Sequence, residues 1–192
     1  MAAESGYHED WWDEMPRPAN MSTSIVLTVI GEDHPGIVES LSEVLAEHDG
    51  NWTQSSMSSL AGQFAGILLA TVPEANADAC IAALEALESK GLRVIAHASH
   101  GPAQPAAARE FFLDLVGHDR HGIVHDITRV LAQHRVNVQE LETEVESASM
   151  SGGALFKATA RLLVPEGVDL RQLEERLEDL ANELMVDIRF ED

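Results

Sequence analysis

Apolar residues recur along this chain in two rhythms, and the switches between them lay out its elements. Ile25–Ile30 is a short apolar run stopped by Gly31, which predicts a buried strand. Ile37, Val38, Leu41, Val44 and Leu45 then fall at i, i+1, i+4, i+7 and i+8, a single stripe along a helix. Asn51–Leu60 and Gln63–Val72 predict a hairpin through Ala61-Gly62, ended by Pro73. A second helix is expected over Ala77–Ser89, with Gly91 as its C-terminal stop, and Leu92–Ala96 closes the unit as a strand. Further on, Leu141, Thr143 and Val145 alternate with Glu140, Glu142, Glu144 and Glu146, the period of a strand wetted on one face and buried on the other. Phe156, Ala158, Ala160 and Leu162 alternate with Lys157, Thr159 and Arg161 in the return strand. Leu170, Leu173, Leu177, Leu180 and Leu184 give a last helix its apolar seam.

The rhythm recurs because the sequence does. Ile25–Asn51 aligns without a gap on Phe111–Asn137, with 11 of 27 positions identical. Val72-Pro73-Glu74 reappears as Val164-Pro165-Glu166 after about six extra residues near the Met150–Gly153 turn. A repeat of this length reads as a duplicated domain rather than a solenoid. Each copy runs strand, helix, strand, strand, helix, strand. Right-handed crossovers then place both helices on one face of a four-stranded antiparallel sheet. The expected fold is α+β: two ferredoxin-like βαββαβ units in tandem, at 23–97 and 109–192. Residues 98–108, rich in Pro, Gly and Ala, read as a linker, and 1–22 as a disordered arm.

Composition narrows the function classes. The chain has 192 residues, enough for two small cores, with the apolar and charged content of an ordinary globular protein. Its net charge of −21 argues against direct nucleic-acid binding and against an anionic membrane surface, since both need a basic footprint. No stretch approaches the roughly 18 uninterrupted apolar residues of a spanning helix. The N-terminus lacks the basic start and apolar stretch of a secretory signal. The single cysteine, Cys80, cannot form an internal disulfide, which fits a reducing cytoplasm, and its setting among Ala79, Ile81 and Leu84 reads as buried packing.

The candidate chemistry lies in the turn between first strand and first helix, Gly31-Glu32-Asp33-His34-Pro35-Gly36 and, in the second copy, Gly117-His118-Asp119-Arg120-His121-Gly122. Helices opening near Gly36-Ile37 and Gly122-Ile123 present unpaired N–H groups and a positive dipole end, a seat for a carboxylate. Asp33 and Asp119 either accept from a ligand ammonium or cap the helix. Asn51 and Asn137 open the next strand, and each offers a carbonyl and an NH₂ to a zwitterion. The sequence reading places them near the turn. A small amino acid would satisfy all these groups at once, with an adjoining domain closing the site.

Those segments carry a resemblance. The two turns, with Asn51-Trp52, Phe64-Ala65-Gly66-Ile67, Leu141-Glu142-Thr143-Glu144, Met150-Ser151-Gly152 and Leu155-Phe156-Lys157-Ala158, make each copy similar to an ACT domain, the βαββαβ module that senses amino acids. As a tandem the chain resembles the family of glycine cleavage system transcriptional repressors, over roughly residues 24–190. One departure is His121, where the first copy has the family's proline, Pro35. The resemblance implies a non-catalytic, cytoplasmic sensor that needs no cofactor. It implies repression of glycine cleavage genes by contact with a DNA-binding activator, relieved by glycine. It also implies edge-to-edge association of ACT modules, within the chain or across a homodimer. The alternative is an ACT regulatory subunit docking on an amino-acid-metabolising enzyme. The chain lacks the Gly-x-Ser-x-Gly, Walker and Gly-x-Gly-x-x-Gly signatures of common enzyme classes.

The remaining features have bland readings. His118, His121 and His125 have metal-like spacing, but the first copy does not share the set, so they read as an exposed titrating loop rather than a metal site. The four glutamates read as a solvated face, with Lys157 and Arg161 across from them. Tyr7, Trp11 and Trp12 sit in the acidic arm as a leader sequence, or as aromatic anchors that order on binding.

Overall fold

The computed structural model describes residues 21–99, 107–147 and 153–191, which form two compact units. In the first, strand β1 (Ser22–Glu32) leads to helix α1 (Ile37–Glu47), then strands β2 (Asn51–Leu60) and β3 (Gln63–Pro73), helix α2 (Ala77–Glu85) and strand β4 (Leu92–Ser99). The second repeats this order as β5 (Ala108–His118), α3 (Ile123–Gln133), β6 (Asn137–Ser147), β7 (Ala154–Pro165), α4 (Leu170–Leu184) and β8 (Val186–Glu191). The sheets have strand orders β2-β3-β1-β4 and β6-β7-β5-β8, with every pairing antiparallel. This is the expected tandem of ferredoxin-like α+β units. The arm at 1–20, most of the linker and the turn at 148–152 lie outside the described residues.

Each core follows from alternation on the strands and a stripe on the helices. Ile25, Leu27 and Val29 of β1 and Leu68, Ala70 and Val72 of β3 meet Ile37, Leu41, Val44 and Leu45 of α1 and Cys80 and Leu84 of α2, all buried. Phe111, Leu113 and Leu115 meet Ile127, Leu131, Leu173 and Leu177 in the second unit. Each fully buried aliphatic side chain contributes about 1.5–3 kcal/mol. Burial raises the pKa of the Cys80 thiol, as befits a packing residue.

Three local expectations are corrected. The second helix ends at Glu85 and continues as a 3₁₀ turn over Ala86–Lys90 before Gly91. Strand β4 runs on to Ser99, past the point where the sequence pattern closed the unit and into the expected linker. The apolar face of β6 is not buried: Leu141 and Val145 are 44% and 54% exposed. They do lie on the helix side, opposite Ala160 and Phe156 of β7. But β6 is the edge strand the helices leave open, whereas the opposite edges β4 and β8 bury Leu92, Val94, Ala96 and Val186, so only Val138 of β6 packs on the core.

Candidate functional site

The β1–α1 and β5–α3 turns are built alike. Gly31 sits at the end of β1 beside β4, where an added Cβ would lie 2.8 Å from the Gly91 carbonyl oxygen. A Cβ on Gly117 would overlap Val186 Cγ1. Close packing of neighbouring strands, rather than approach to a guest, requires these two glycines. The turn is pinned to the hairpin of the next two strands: Asp33 N–H donates to the Gly62 carbonyl and Asp119 N–H to that of Ala154, each at 2.9 Å. Gly36 and Gly122 then open the helices with φ of 96° and 90°, the left-handed region that favours glycine.

No side chain caps either helix. Helix α4, by contrast, is capped by Asp169, whose Oδ1 accepts from Gln172 N–H at 3.2 Å. The choice that the sequence leaves open for Asp33 and Asp119 is therefore settled against capping. Asp33 Oδ2 instead accepts from Ser59 Oγ at 2.5 Å, while Asp119 has no side-chain hydrogen bond among the described residues. The N–H groups of Ile37 and Ile123 and their successors stay open at the positive end of each helix.

The asparagines are not there. Asn51 pairs with Thr71, which pairs with Ser24, so it lies level with a residue seven positions before Gly31. At about 3.3 Å per residue that is roughly 23 Å from the turn. Asn137 pairs with Leu163, and Leu163 with Glu110, seven positions before Gly117, and the same separation results. The physical reason is direction: the helix returns the chain along the sheet, so the next strand begins at the opposite end from the turn. The end of β2 is what meets the turn, and sequence reasoning missed Ser59 there. The hairpin signal at Ala61-Gly62 was enough to find it, because antiparallel pairing of β1 with β3 sets that hairpin beside Gly31.

The two turns differ in charge. The first carries Glu32, Asp33, His34 and Glu39; His34 Nδ1–H donates to the Pro35 carbonyl at 3.0 Å. The second carries His118, Arg120, His121 and His125 beside Asp119. There Asp126, in the first turns of α3, faces Arg120 at 3.7 Å, His125 at 3.2 Å and Arg129 at 3.9 Å. Among the described residues no group of three or more His, Cys, Asp or Glu could hold a metal ion. A shallow depression elsewhere, lined by Asp114, Val116, Lys157, Thr159, Asp187 and Arg189, lies on the open face of the second sheet and touches none of the expected site residues. On that face two of the four glutamates, Glu140 and Glu146, find the expected cross-strand partners. Lys157 Nζ lies 2.6 Å from Glu146, and Arg161 bridges Glu110 at 2.9 Å and Glu140.

The comparisons with known proteins agree with the architecture. The ACT domain family matches residues 23–96 and again 110–191. A crystal structure of an unknown protein from Galdieria sulphuraria superposes with a TM-score of 0.79 at 31% identity, over 89% of this chain and 98% of that one. A candidate glycine cleavage system transcriptional repressor superposes with a TM-score of 0.64 at 19% identity, over 89% and 97%, a likeness of fold. A UPF0237 protein of Methanopyrus kandleri is 46% identical over 54 residues, which are 28% of this chain and 60% of that protein's length. Among the described residues no helix is long and apolar enough to cross a membrane.

Proposed function

This chain belongs to the ACT domain family, as two such domains in tandem, and on that premise we propose that it is a non-catalytic sensor of a small amino acid, glycine by preference. In this reading the ligand carboxylate meets the open amides that follow Gly36 or Gly122, and Asp33 or Asp119 accepts from its ammonium. The observation that carries the reading is the pair of uncapped helix N-termini. Each opens with a left-handed glycine and stands beside an aspartate whose carboxylate is not used as a cap. Gly31 and Gly117 shape the turns, and Ile37 and Ile123 supply the first amides while their side chains anchor the helices in the cores. Asn51 and Asn137, at the far end of their own sheets, take no part in this reading.

Occupancy is relayed, in this proposal, by protein contact. A charge of −21 favours a protein partner over nucleic acid. We assign the partner as a DNA-binding activator of glycine cleavage genes, held inactive in the cytoplasm and released when glycine binds, with the sensor acting alone or as a homodimer. The fold shared with a candidate repressor of that system supports this choice.

Calorimetry with glycine, serine and alanine tests the sensor: saturable heat without turnover is expected. Asp33→Ala and Asp119→Ala should each weaken binding at their own turn by about 1–3 kcal/mol. Flat titrations, or unchanged affinity in the double variant, would remove the site. Capture from a cell extract with and without glycine tests the partner. A glycine-sensitive DNA-binding protein supports the repressor reading, and a metabolic enzyme supports the docking-subunit alternative.

A further inference from the structure

Among the described residues of the first unit, no element covers the face of the sheet that points away from the helices, and its middle is apolar. Alternation sets Val26, Thr28 and Ile30 of β1, Ile67 and Leu69 of β3 and Ile95 of β4 on that side. Ile30, Ile67 and Ile95 are 49%, 48% and 58% exposed. Ile67, Thr28 and Ile95 form one row across the sheet, and Ile30 stands two residues further along β1. With strands about 4.8 Å apart and about 6.7 Å between same-side neighbours, the three isoleucines enclose a patch about 10 Å across. That is the size of an indole ring or two.

The duplication shows that the fold itself does not demand this surface. The same row in the second sheet is Thr159, Asp114 and Arg189. The second face keeps exposed Phe112 and Val116 at the positions of Val26 and Ile30, so the copies differ in that row, which is aliphatic at both ends in the first sheet and charged in the second.

We propose that the occupant is the chain's own N-terminal segment, with Trp11 and Trp12 seated on Ile30, Ile67 and Ile95. Reach allows it. Trp12 precedes Ser22 by ten residues, and an extended chain of that length spans up to about 33 Å, whereas the Thr28 row lies about 20 Å along β1 from Ser22. β1 is an inner strand with β3 and β4 on either side, so the segment enters at the middle of the sheet's width and needs only to fold back over the face. Charge favours it too. Glu9, Asp10, Asp13 and Glu14 surround the tryptophans. Arg93 and His97 flank Ile95 on the same face of β4, and neither has an ion-pair partner among the described residues. The open face of the second sheet, lined with Glu140, Glu142, Glu144 and Glu146, would repel the same segment.

The full chain carrying Trp52→Phe leaves Trp11 and Trp12 as its only tryptophans. Their fluorescence should resist acrylamide at least three-fold better than that of a free peptide of residues 1–20. Ile67→Glu and Ile95→Glu, both at exposed positions, should restore peptide-like quenching without moving the circular dichroism spectrum. Chymotrypsin cleavage after Trp12 gives the same reading in the chain with Trp52 intact, slow as it stands and faster with Ile95→Glu. Peptide-like quenching in the Trp52→Phe chain overturns the proposal, as does protection indifferent to both glutamates. Sedimentation alongside the quenching must show that protection does not depend on chain association. A dimer that Ile67→Glu dissociates equally well with residues 1–20 deleted would assign the face to a second copy and overturn the proposal as well.

Discussion

The β1–α1 turn and the β5–α3 turn share a backbone and little else. Both end a central strand on a glycine crowded by its neighbour strand, both are tied to a hairpin through the aspartate N–H, and both open a helix on a left-handed glycine without a cap. Around that common frame the first copy places Glu32, His34 and Glu39, and the second His118, Arg120 and His125. A carboxylate arriving at α1 meets Glu39 beside the amides, while one arriving at α3 meets histidines and an arginine already shared with Asp126. The comparison teaches that packing holds the glycines and the turn in place, whereas nothing in the fold holds the charges, so two turns of equal shape need not be sites of equal preference.

The comparison breaks most visibly at the crowded glycines. Gly117→Ala drives a Cβ against Val186 Cγ1, and Gly31→Ala drives one against the Gly91 carbonyl oxygen and Leu92 Cδ2. Each should cost about 1–3 kcal/mol in chemical denaturation. The two share a second obstacle that truncating the neighbouring side chain does not remove. Val186→Ala should recover only part of the loss in Gly117→Ala, because it removes Cγ1 but leaves the residue-186 Cβ at 2.8 Å and Cα at 3.1 Å, and Leu92→Ala should likewise recover only part in Gly31→Ala, because the Gly91 carbonyl oxygen stays at 2.8 Å. A double-mutant cycle on each pair reads this directly. Next in size come Gly36→Ala and Gly122→Ala, each expected to cost about 1–2 kcal/mol for holding an L-residue in the left-handed region. The nearest atom to either new Cβ is a carboxylate oxygen at 3.8 Å, so the two losses should match. A difference well beyond about 0.5 kcal/mol would show that the turns are not equivalent in backbone after all.

How legible all this is from sequence depends on whether the signal is local. The gapless match of Ile25–Asn51 with Phe111–Asn137, the helical stripes and the Ala61-Gly62 turn give the tandem βαββαβ architecture, because periodicity and turn chemistry are local. The burial of Leu141 and Val145 is not local. Alternation tells which side of the sheet they take, but only tertiary packing decides whether a helix reaches the edge strand. The same limit placed Asn51 beside Asp33: proximity in a motif is no guide to proximity across a sheet when a helix reverses the chain in between. Ser59 illustrates the converse, lying 26 residues from Asp33 in sequence and within a hydrogen bond of it in space.

Ser59 also sharpens the comparison at smaller scale. Its position opposite Phe64 corresponds to that of Val145 opposite Phe156, so the second copy has a methyl-bearing side chain where the first has a hydroxyl donor. Ser59→Ala should free the Asp33 carboxylate and cost at most about 1 kcal/mol, since both groups are exposed. Val145→Ser should give Asp119 the same donor, with a gain no larger. Carboxyl chemical shifts of the two aspartates, followed by NMR in the paired variants, report the transfer: the Asp119 resonance should move toward the position that Asp33 holds in the unaltered chain.

The smallest effect separates the two open faces through pH. Arg161 donates to Glu140, and that hydrogen bond holds the Glu140 carboxyl below its ordinary range. A carboxyl depressed in the folded state contributes stability that is present above its unfolded pKa and is lost as pH falls through the folded one. Arg161→Met should therefore lower stability slightly at neutral pH, and the gap from the parent should close as the solution is acidified below the usual glutamate range. The corresponding position of the first sheet is Leu69, which has no charge to titrate, so Leu69→Met should leave the acid limb of the stability curve unchanged. A gap in the arginine variant that stays constant down to low pH would mean that the guanidinium contributes through the packing of its stem on the sheet and not through the carboxylate it meets.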